Sequence, residues 1–331
     1  MNRYLISALE SRKNTAASKA KEDIVYFLSD NGYENLEYRL PESRLKRLLF
    51  SKNELRKLLR NIQDGDTVVF QYPAYSSIVE NHILNYLEKR KLKKVIIIHD
   101  LESLRFYKND LQKIQKEIQF LNSFEVVISH NQHMTEWLRK NGVSSQIINL
   151  ELFDYEAGDT EISIPKFEYP LIVAGNLEKS RYLEKLIINK NVSAFGINPS
   201  QDYPKSISYK GAYSPEELIE QLNGSFGIVW DGDSVTECTG ILGEYLKYNN
   251  PHKTSLYLSL GVPVIIWKKA ALSEFITANG IGFAVDRLDE IDGILDNMSE
   301  KEYNLMLSRT TKISEKIKNG YFIKTALNSI R

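Results

Sequence analysis

Tyr248-Asn249-Asn250-Pro251-His252-Lys253-Thr254-Ser255, the apolar run behind it and Gly261-Val262-Pro263-Val264-Ile265-Ile266 form one helix-to-strand unit. Asn250 reads as the N-cap, Pro251 as the first helical residue, Gly261 as the stop, and the residues that follow as a buried strand. His252 and Lys253 then occupy the first helical turn, where the helix dipole disfavours a cation by about 0.3–1 kcal/mol. Free backbone N–H groups beside a lysine suit an anion at that helix start, above all a phosphate. A lysine swung out to solvent is the bland alternative.

The same strand–helix alternation extends in both directions. Upstream, Tyr4-Leu5-Ile6, Thr67 to Tyr72, Val95 to Ile98, Glu125 to Ser129 and Gln146 to Leu150 read as strands. Helical patterns separate them at Thr15 to Asn31, within Leu45 to Ile62, and at Asn81 to Lys91, Leu111 to Ser123 and Gln132 to Asn141. From about Phe153 to Tyr169 the rhythm breaks into acids, Gly158, Pro165 and Pro170, which reads as a linker. It restarts with strands at Leu171 to Ala174, Val192 to Phe195 and Phe226 to Trp230, and with helices from about Ser180 and at Pro215 to Leu222. Helical patterns at Ala270 to Asn279, Leu288 to Met298, Glu300 to Lys318 and Phe322 to Ile330 close the chain. Continuously apolar strands separated by helices imply parallel sheets covered on both faces. The expected architecture is α/β: two doubly wound, Rossmann-like parallel-sheet domains with an interdomain cleft at the carboxyl ends of the strands.

Composition narrows the function. The 331 residues suggest two domains, and 42% hydrophobic with 26% charged residues is ordinary for a globular protein. Lys plus Arg equals Asp plus Glu at 43 each, so no bulk charge recruits nucleic acid, and attraction to a polyanion has to be local. One cysteine, Cys238, rules out an intramolecular disulfide and a multi-cysteine zinc site and fits a reducing compartment. The N-terminus lacks a long apolar stretch and no segment approaches a membrane span, so a cytoplasmic protein is expected.

Four predicted strand ends carry the chemistry. Lys13-Asn14-Thr15 opens the helix after the first strand and either holds an acceptor or phosphate or is a plain N-cap. His99-Asp100-Leu101-Glu102-Ser103-Leu104-Arg105 follows a buried strand, where a His-Asp pair suits acid–base work or contacts to acceptor hydroxyls. Its structural alternative has Asp100 capping the next turn and Arg105 paired with Glu102. Gly175-Asn176-Leu177-Glu178-Lys179-Ser180-Arg181 is a strand end, a Gly turn and a helix start, with Lys179 and Arg181 available to a pyrophosphate or simply solvated. Asp231-Gly232-Asp233 suggests a divalent metal held with nucleotide phosphates, although Asp-Gly is also a common turn. Nearby Glu237 and Glu244 suit sugar hydroxyls.

Several classes fall away. The chain has no G-x-G-x-x-G after its first strand, no G-x-x-x-x-G-K-[ST] and no G-x-S-x-G elbow. His130-Asn131-Gln132-His133 reads better as a helix start than as a metal site. The basic run Arg44, Lys46, Arg47, Lys52, Arg56, Lys57 and Arg60 is interleaved with leucines and reads as a contact for anionic lipid or an acceptor protein, or as a solvated face.

These residues carry a resemblance. Gly224 to Gly232, Gly243 to Lys253, and Gly261-Val262-Pro263-Val264-Ile265, with Ile98 to Arg105 and Phe70-Gln71-Tyr72-Pro73, look like bacterial galactofuranosyltransferases. The same residues are similar to the glucosyltransferase 3 family that extends glycans of serine-rich-repeat adhesins. The resemblance spans nearly the whole chain and implies a GT-B fold. Its domains would be 1–155 on the acceptor side and 156–312 for the nucleotide-sugar, with 313–331 crossing back. It implies metal-independent transfer, Lys253 on the donor phosphates and Tyr213 against the nucleotide. Lys179 stands where the adhesin-modifying relatives carry Arg, so an ammonium replaces a forked guanidinium. The 99–105 segment is nearer the galactofuranosyl side.

The expected activity is transfer of a hexosyl group from UDP-glucose, UDP-N-acetylglucosamine or UDP-galactofuranose to a glycan on a glycoprotein adhesin or a lipid-linked polysaccharide unit. Lys253, Lys179, His99 and Asp100 are the expected catalytic residues. Asn14, Thr15, Gly175, Asn176, Lys179, Tyr213, Asp231, Asn250, His252, Lys253 and Thr254 are expected to line the donor site. No cofactor, no metal and no nucleic acid are expected; a homo-oligomer and a peripheral contact at the inner face of the membrane are. The alternative is a non-catalytic, transferase-like subunit that binds glycan or a partner.

Overall fold

Two six-stranded, wholly parallel sheets organise the chain, and a computed structural model describes residues 1–9, 16–158 and 164–330. The first contains β1 (Arg3–Leu9), β2 (Glu34–Arg39), β3 (Thr67–Tyr72), β4 (Lys93–Ile98), β5 (Val126–Ser129) and β6 (Gln146–Asn149), in the order β2-β1-β3-β4-β5-β6. Helices α1 (Ala16–Ser29), α2 (Arg44–Leu58), α3 (Ser77–Leu87), α4 (Glu102–Arg105), α5 (Leu111–Leu121) and α6 (Gln132–Lys140) connect them. Val68, Val69 and Phe70 of β3 and Val95 to Ile98 of β4 are fully buried. Central strands covered on both faces need apolar residues at every position, which is why they were legible as continuous runs.

The second sheet contains β7 (Leu171–Ala174), β8 (Val192–Phe195), β9 (Ile207–Gly211), β10 (Gly227–Val229), β11 (Val264–Trp267) and β12 (Gly282–Val285), in the order β12-β11-β10-β7-β8-β9. Its helices are α7 (Pro215–Gln221), α8 (Gly240–Tyr245), α9 (His252–Ser259), α10 (Ser273–Asn279), α11 (Ile291–Asn297) and α12 (Glu300–Lys318). The strand order reverses between β7 and β10, and the carboxyl ends of strands at such a reversal are where α/β sheets bind ligands.

The chain divides into Met1–Leu150 with Phe322–Arg331, and Glu151–Tyr321. Phe322, Ile323, Ala326 and Leu327 of the final helix α13 (Tyr321–Asn328) are buried, and Lys324 lies over the Phe27 ring of α1. Three strands escaped the sequence reading: β2, β9 and β12. All three are edge strands with interrupted burial, so none shows a continuous apolar run. The segment read as a linker is not loose at its start, because Phe153, Asp154, Tyr155 and Ala157 are each 3% exposed or less. The helix expected from about Ser180 is instead a 3₁₀ segment, Leu177–Lys185, kinked at Ser180. No helix among the described residues is long and apolar enough to cross a membrane.

Candidate functional site

The geometry of the second unit is set by a contact between α9 and the sheet beneath it. A Cβ on Gly227 would lie 2.2 Å from the Tyr257 ring, so only glycine at the start of β10 lets α9 approach this closely. The Ala174 N–H, at the end of β7, donates to the Tyr257 hydroxyl at 2.7 Å. Tyr257 therefore ties α9 to both strands of the reversal point. Burial pushes its phenol well above the usual range, so it stays neutral.

Lys253 precedes Tyr257 by one helical turn and shares its face. Its Nζ lies 2.8 Å from Asp231 Oδ1 and 3.4 Å from the Trp230 carbonyl, both just past β10. The pair is largely enclosed, with the two side chains 17% and 11% exposed. The lysine is held over the end of β10 by a carboxylate, which corrects the reading in which it swings out to solvent. Asp233 points elsewhere, accepting from the Thr239 hydroxyl at 2.6 Å. The two acids of Asp231-Gly232-Asp233 thus serve separate partners and do not converge as a chelating pair.

Other donor-side expectations need correction. Pro251, not Asn250, is the N-cap of α9, and the helix begins at His252. Asn250 is buried and donates to the Glu151 carbonyl at 3.2 Å, so its amide binds the incoming chain and leaves the helix uncapped by a side chain. His252 packs with Phe153 and Tyr155, ring centroids 6.0 and 5.1 Å away, which turns it toward residues following β6. Thr254 is fully buried, and its N–H is bonded to the Pro251 carbonyl. One residue's rotation about the helix separates it from Lys253.

Gly175, with φ of 134°, carries the chain off β7 at the same edge, and Asn176 caps the 3₁₀ segment by accepting from Glu178 N–H at 3.1 Å. A Cβ on the neighbouring Gly196 would overlap the Gly175 carbonyl at 1.6 Å, so the ends of β7 and β8 close up backbone to backbone. Lys179 is exposed, and its carbonyl accepts from Gly232 N–H at 2.8 Å, joining this turn to the Asp231 turn. Arg181 pairs with Glu184 on its own segment. Tyr213 is 40% exposed, its hydroxyl bonded to the Lys210 carbonyl. Cys238 is buried and its thiol is pushed up by desolvation, which makes it an inert packing residue.

The first unit holds a buried polar chain across its sheet. Gln71 of β3 donates from Nε2 to the Ser7 hydroxyl at 2.8 Å and to the Lys21 carbonyl at 3.3 Å. The Ser7 hydroxyl in turn donates to Asn35 Oδ1 at 2.9 Å. A backbone carbonyl only accepts, so Lys21 O fixes which end of the Gln71 amide is NH₂. Gln71 Oε1 consequently faces His99 Nε2, 2.8 Å away, and that nitrogen must carry the proton. The basic lone pair of His99 is therefore on Nδ1.

Asp100 is paired with Arg105 at 2.7 Å, while the Arg105–Glu102 approach is longer at 3.5 Å. Leu101 is the N-cap of α4, so Asp100 does not cap the turn, and its carboxylate is a weaker candidate for a base than His99. Asn14 and Thr15 lie outside the described residues. The His130–His133 stretch is a helix start: Asn131 caps α6 by accepting from Met134 N–H.

The residues that position this unit's site were missed. Lys21, 2% exposed, donates to the Ala8 and Pro73 carbonyls at 2.9 and 2.6 Å, holding the ends of β1 and β3. Glu117 of α5 accepts from the Tyr72 hydroxyl and from the N–H groups of Glu102 and Ser103, fixing α4 behind His99. Gln71 had a visible signal, since an amide inside Val68-Val69-Phe70-Gln71-Tyr72 must find partners if that run is buried.

Comparisons with known proteins give the family and the fold. Residues 2–152 match the model of the glucosyltransferase 3-like N-terminal domain, and residues 171–330 that of the C-terminal domain. The chain is 34% identical to β-1,6-galactofuranosyltransferase WbbI of Escherichia coli K12, over 99% of this chain and 98% of that protein. It is 27% identical to glucosyltransferase 3 of Streptococcus gordonii, over 93% and 92% of the two chains. Among solved structures it is similar to sucrose-phosphate synthase from Thermosynechococcus elongatus, with a TM-score of 0.63, 11% identity and coverage of 99% and 97%, a likeness of fold. The protein is a GT-B glycosyltransferase and belongs to the glucosyltransferase 3-like family.

Proposed function

We propose that the enzyme transfers a hexosyl group from a UDP-sugar to a hydroxyl of a glycan, with the donor diphosphate received at Lys253 and the acceptor hydroxyl at His99. The placement of Lys253 carries this reading. Tyr257 and Gly227 hold its helix so that the ammonium stands over the end of β10, at the strand-order reversal. Opposite charge there stabilises the diphosphate as it leaves, and Lys179 on the adjoining turn adds a second cation. Gly175 lets the backbone come close to the ligand.

In the transfer the acceptor oxygen forms a bond to the anomeric carbon, the bond from that carbon to the diphosphate oxygen breaks, and UDP departs. The acceptor proton leaves to a base of the first unit, for which His99, its Nε2–H held on Gln71 Oε1, is the candidate. The charge compensation assigned to Lys253, and the separate engagement of Asp231 and Asp233, support a reaction that needs no divalent ion. The names of the relatives, a β-1,6-galactofuranosyltransferase and a glucosyltransferase, support a hexosyl group as the unit transferred.

Titration calorimetry with UDP, followed by UDP release from UDP-glucose, UDP-N-acetylglucosamine and UDP-galactofuranose with chelator present, tests the proposal. Heat of UDP binding and chelator-resistant release from one of the donors are expected. No heat with UDP would assign the chain to a non-catalytic role instead.

A further inference from the structure

Helix α2 carries apolar side chains away from the sheet as well as toward it. Ser51 and Leu55 are buried, whereas Leu45, Leu48, Leu49 and Phe50 are exposed by 64%, 55%, 60% and 54%. Leu45, Leu48 and Leu49 stand at i, i+3 and i+4 and share a face, which Lys52 and Arg56 continue toward the C-terminus. Single exposed leucines are ordinary, but four large apolar side chains exposed within two turns mark an interaction surface.

The surroundings are strongly cationic. From Arg44 to Arg60 the chain has seven basic residues and one acid, Glu54, in a protein of zero formal net charge. Arg47 turns back onto the Pro41 carbonyl, and none of the other six forms an ion pair among the described residues. A helix that follows a strand begins at that strand's carboxyl end. The first turns of α2 therefore lie on the same rim of the first sheet as His99.

We propose that the first two turns of α2 dock on an anionic lipid bilayer, with Leu45, Leu48, Leu49 and Phe50 entering the interface and the cations meeting lipid phosphates. Charge complementarity selects this occupant. A second copy seated patch to patch would bring two cationic surfaces together, which like-charge repulsion opposes. The consequence that a lipid-carried acceptor would arrive at the His99 rim rests on the glycosyltransferase reading; the docking itself does not.

Flotation of the full chain with vesicles tests it. The protein should float with vesicles of phosphatidylcholine mixed with phosphatidylglycerol, and about tenfold less with phosphatidylcholine alone or at high salt. Leu48→Glu/Leu49→Glu and, separately, Lys52→Glu/Arg56→Glu should each lower flotation by about tenfold while the heat of UDP binding stays at the wild-type value. Absence of flotation with the anionic vesicles, or flotation of both double variants at the wild-type level, overturns the proposal. So does a wild-type dimer that Leu48→Glu/Leu49→Glu splits, which assigns the patch to a second copy. Flotation without UDP release from any sugar donor would overturn glycosyl transfer alone.

Discussion

Lys253 and Tyr257 leave α9 one turn apart on a single face, and each is anchored at the reversal point of the second sheet: Lys253 to Asp231 after β10, Tyr257 to Ala174 at the end of β7. The tyrosine sets the pose of the helix, and the lysine inherits its aim from it. Because Asp231 already neutralises Lys253, an incoming diphosphate competes with, or adds to, an existing carboxylate.

That competition separates two roles for Asp231. Lys253→Ala should weaken UDP binding and lower turnover by about 100-fold, the loss expected when one stabilising charge is removed from a developing anion. Asp231→Asn should bind UDP at least as tightly as the wild type, since an anion no longer meets a carboxylate beside the lysine. Calorimetry of both variants checks this. Weaker binding by Asp231→Asn would point to a metal or ribose contact at Asp231.

The anchoring of α9 has its own signature. Gly227→Ala places a methyl inside the Tyr257 ring contact and should cost about 1–3 kcal/mol of stability, as overpacking does. Tyr257→Phe keeps the shape but leaves the buried Ala174 N–H unbonded, at a cost of about 1–3 kcal/mol. Urea unfolding gives both values, and wild-type stability in Gly227→Ala would show that the close approach is not needed.

The His99 tautomer is directly observable. Nitrogen-15 resonances should show the neutral ring protonated at Nε2. Gln71→Met removes the acceptor facing Nε2, so the ring should become a mixture of tautomers and turnover should fall. A wild-type ring protonated at Nδ1 would contradict the polar chain running through Gln71 and Ser7.

Glu80 predicts a pH effect on stability. Burial raises its pKa to about 7, outweighing the opposing bond from Ala74 N–H, with Glu117 adding to the rise. The folded state therefore keeps a proton that the unfolded chain releases above its ordinary carboxylate pKa near 4.5. Stability is full below that value and is lost as pH rises through about 7, by an amount of about 3 kcal/mol. Glu80→Gln retains the acceptor for Ala74 N–H and cannot ionise, so it should be the more stable protein at pH above 7 and equal at acid pH. Denaturant midpoints that track one another across this range would exclude the effect.

Local sequence determined the alternation of elements and the ends of the central strands. A strand buried on both faces must be apolar throughout, and the caps and glycines bounding it act over a few residues. It also marked the strand ends bearing His99, Gly175 and Asp231, and the lysine at the start of α9. Tertiary structure alone decided what those groups do. The edge strands β2, β9 and β12 exist through pairing with a neighbour, which no run of their own residues announces. The same holds for Gln71, fixed by a carbonyl 50 positions away, and for Lys253, aimed by a tyrosine whose contacts are 30 and 83 residues distant. Hydrogen bonds and ring contacts depend on separation in space, and the chain brings such partners together only once both sheets are built.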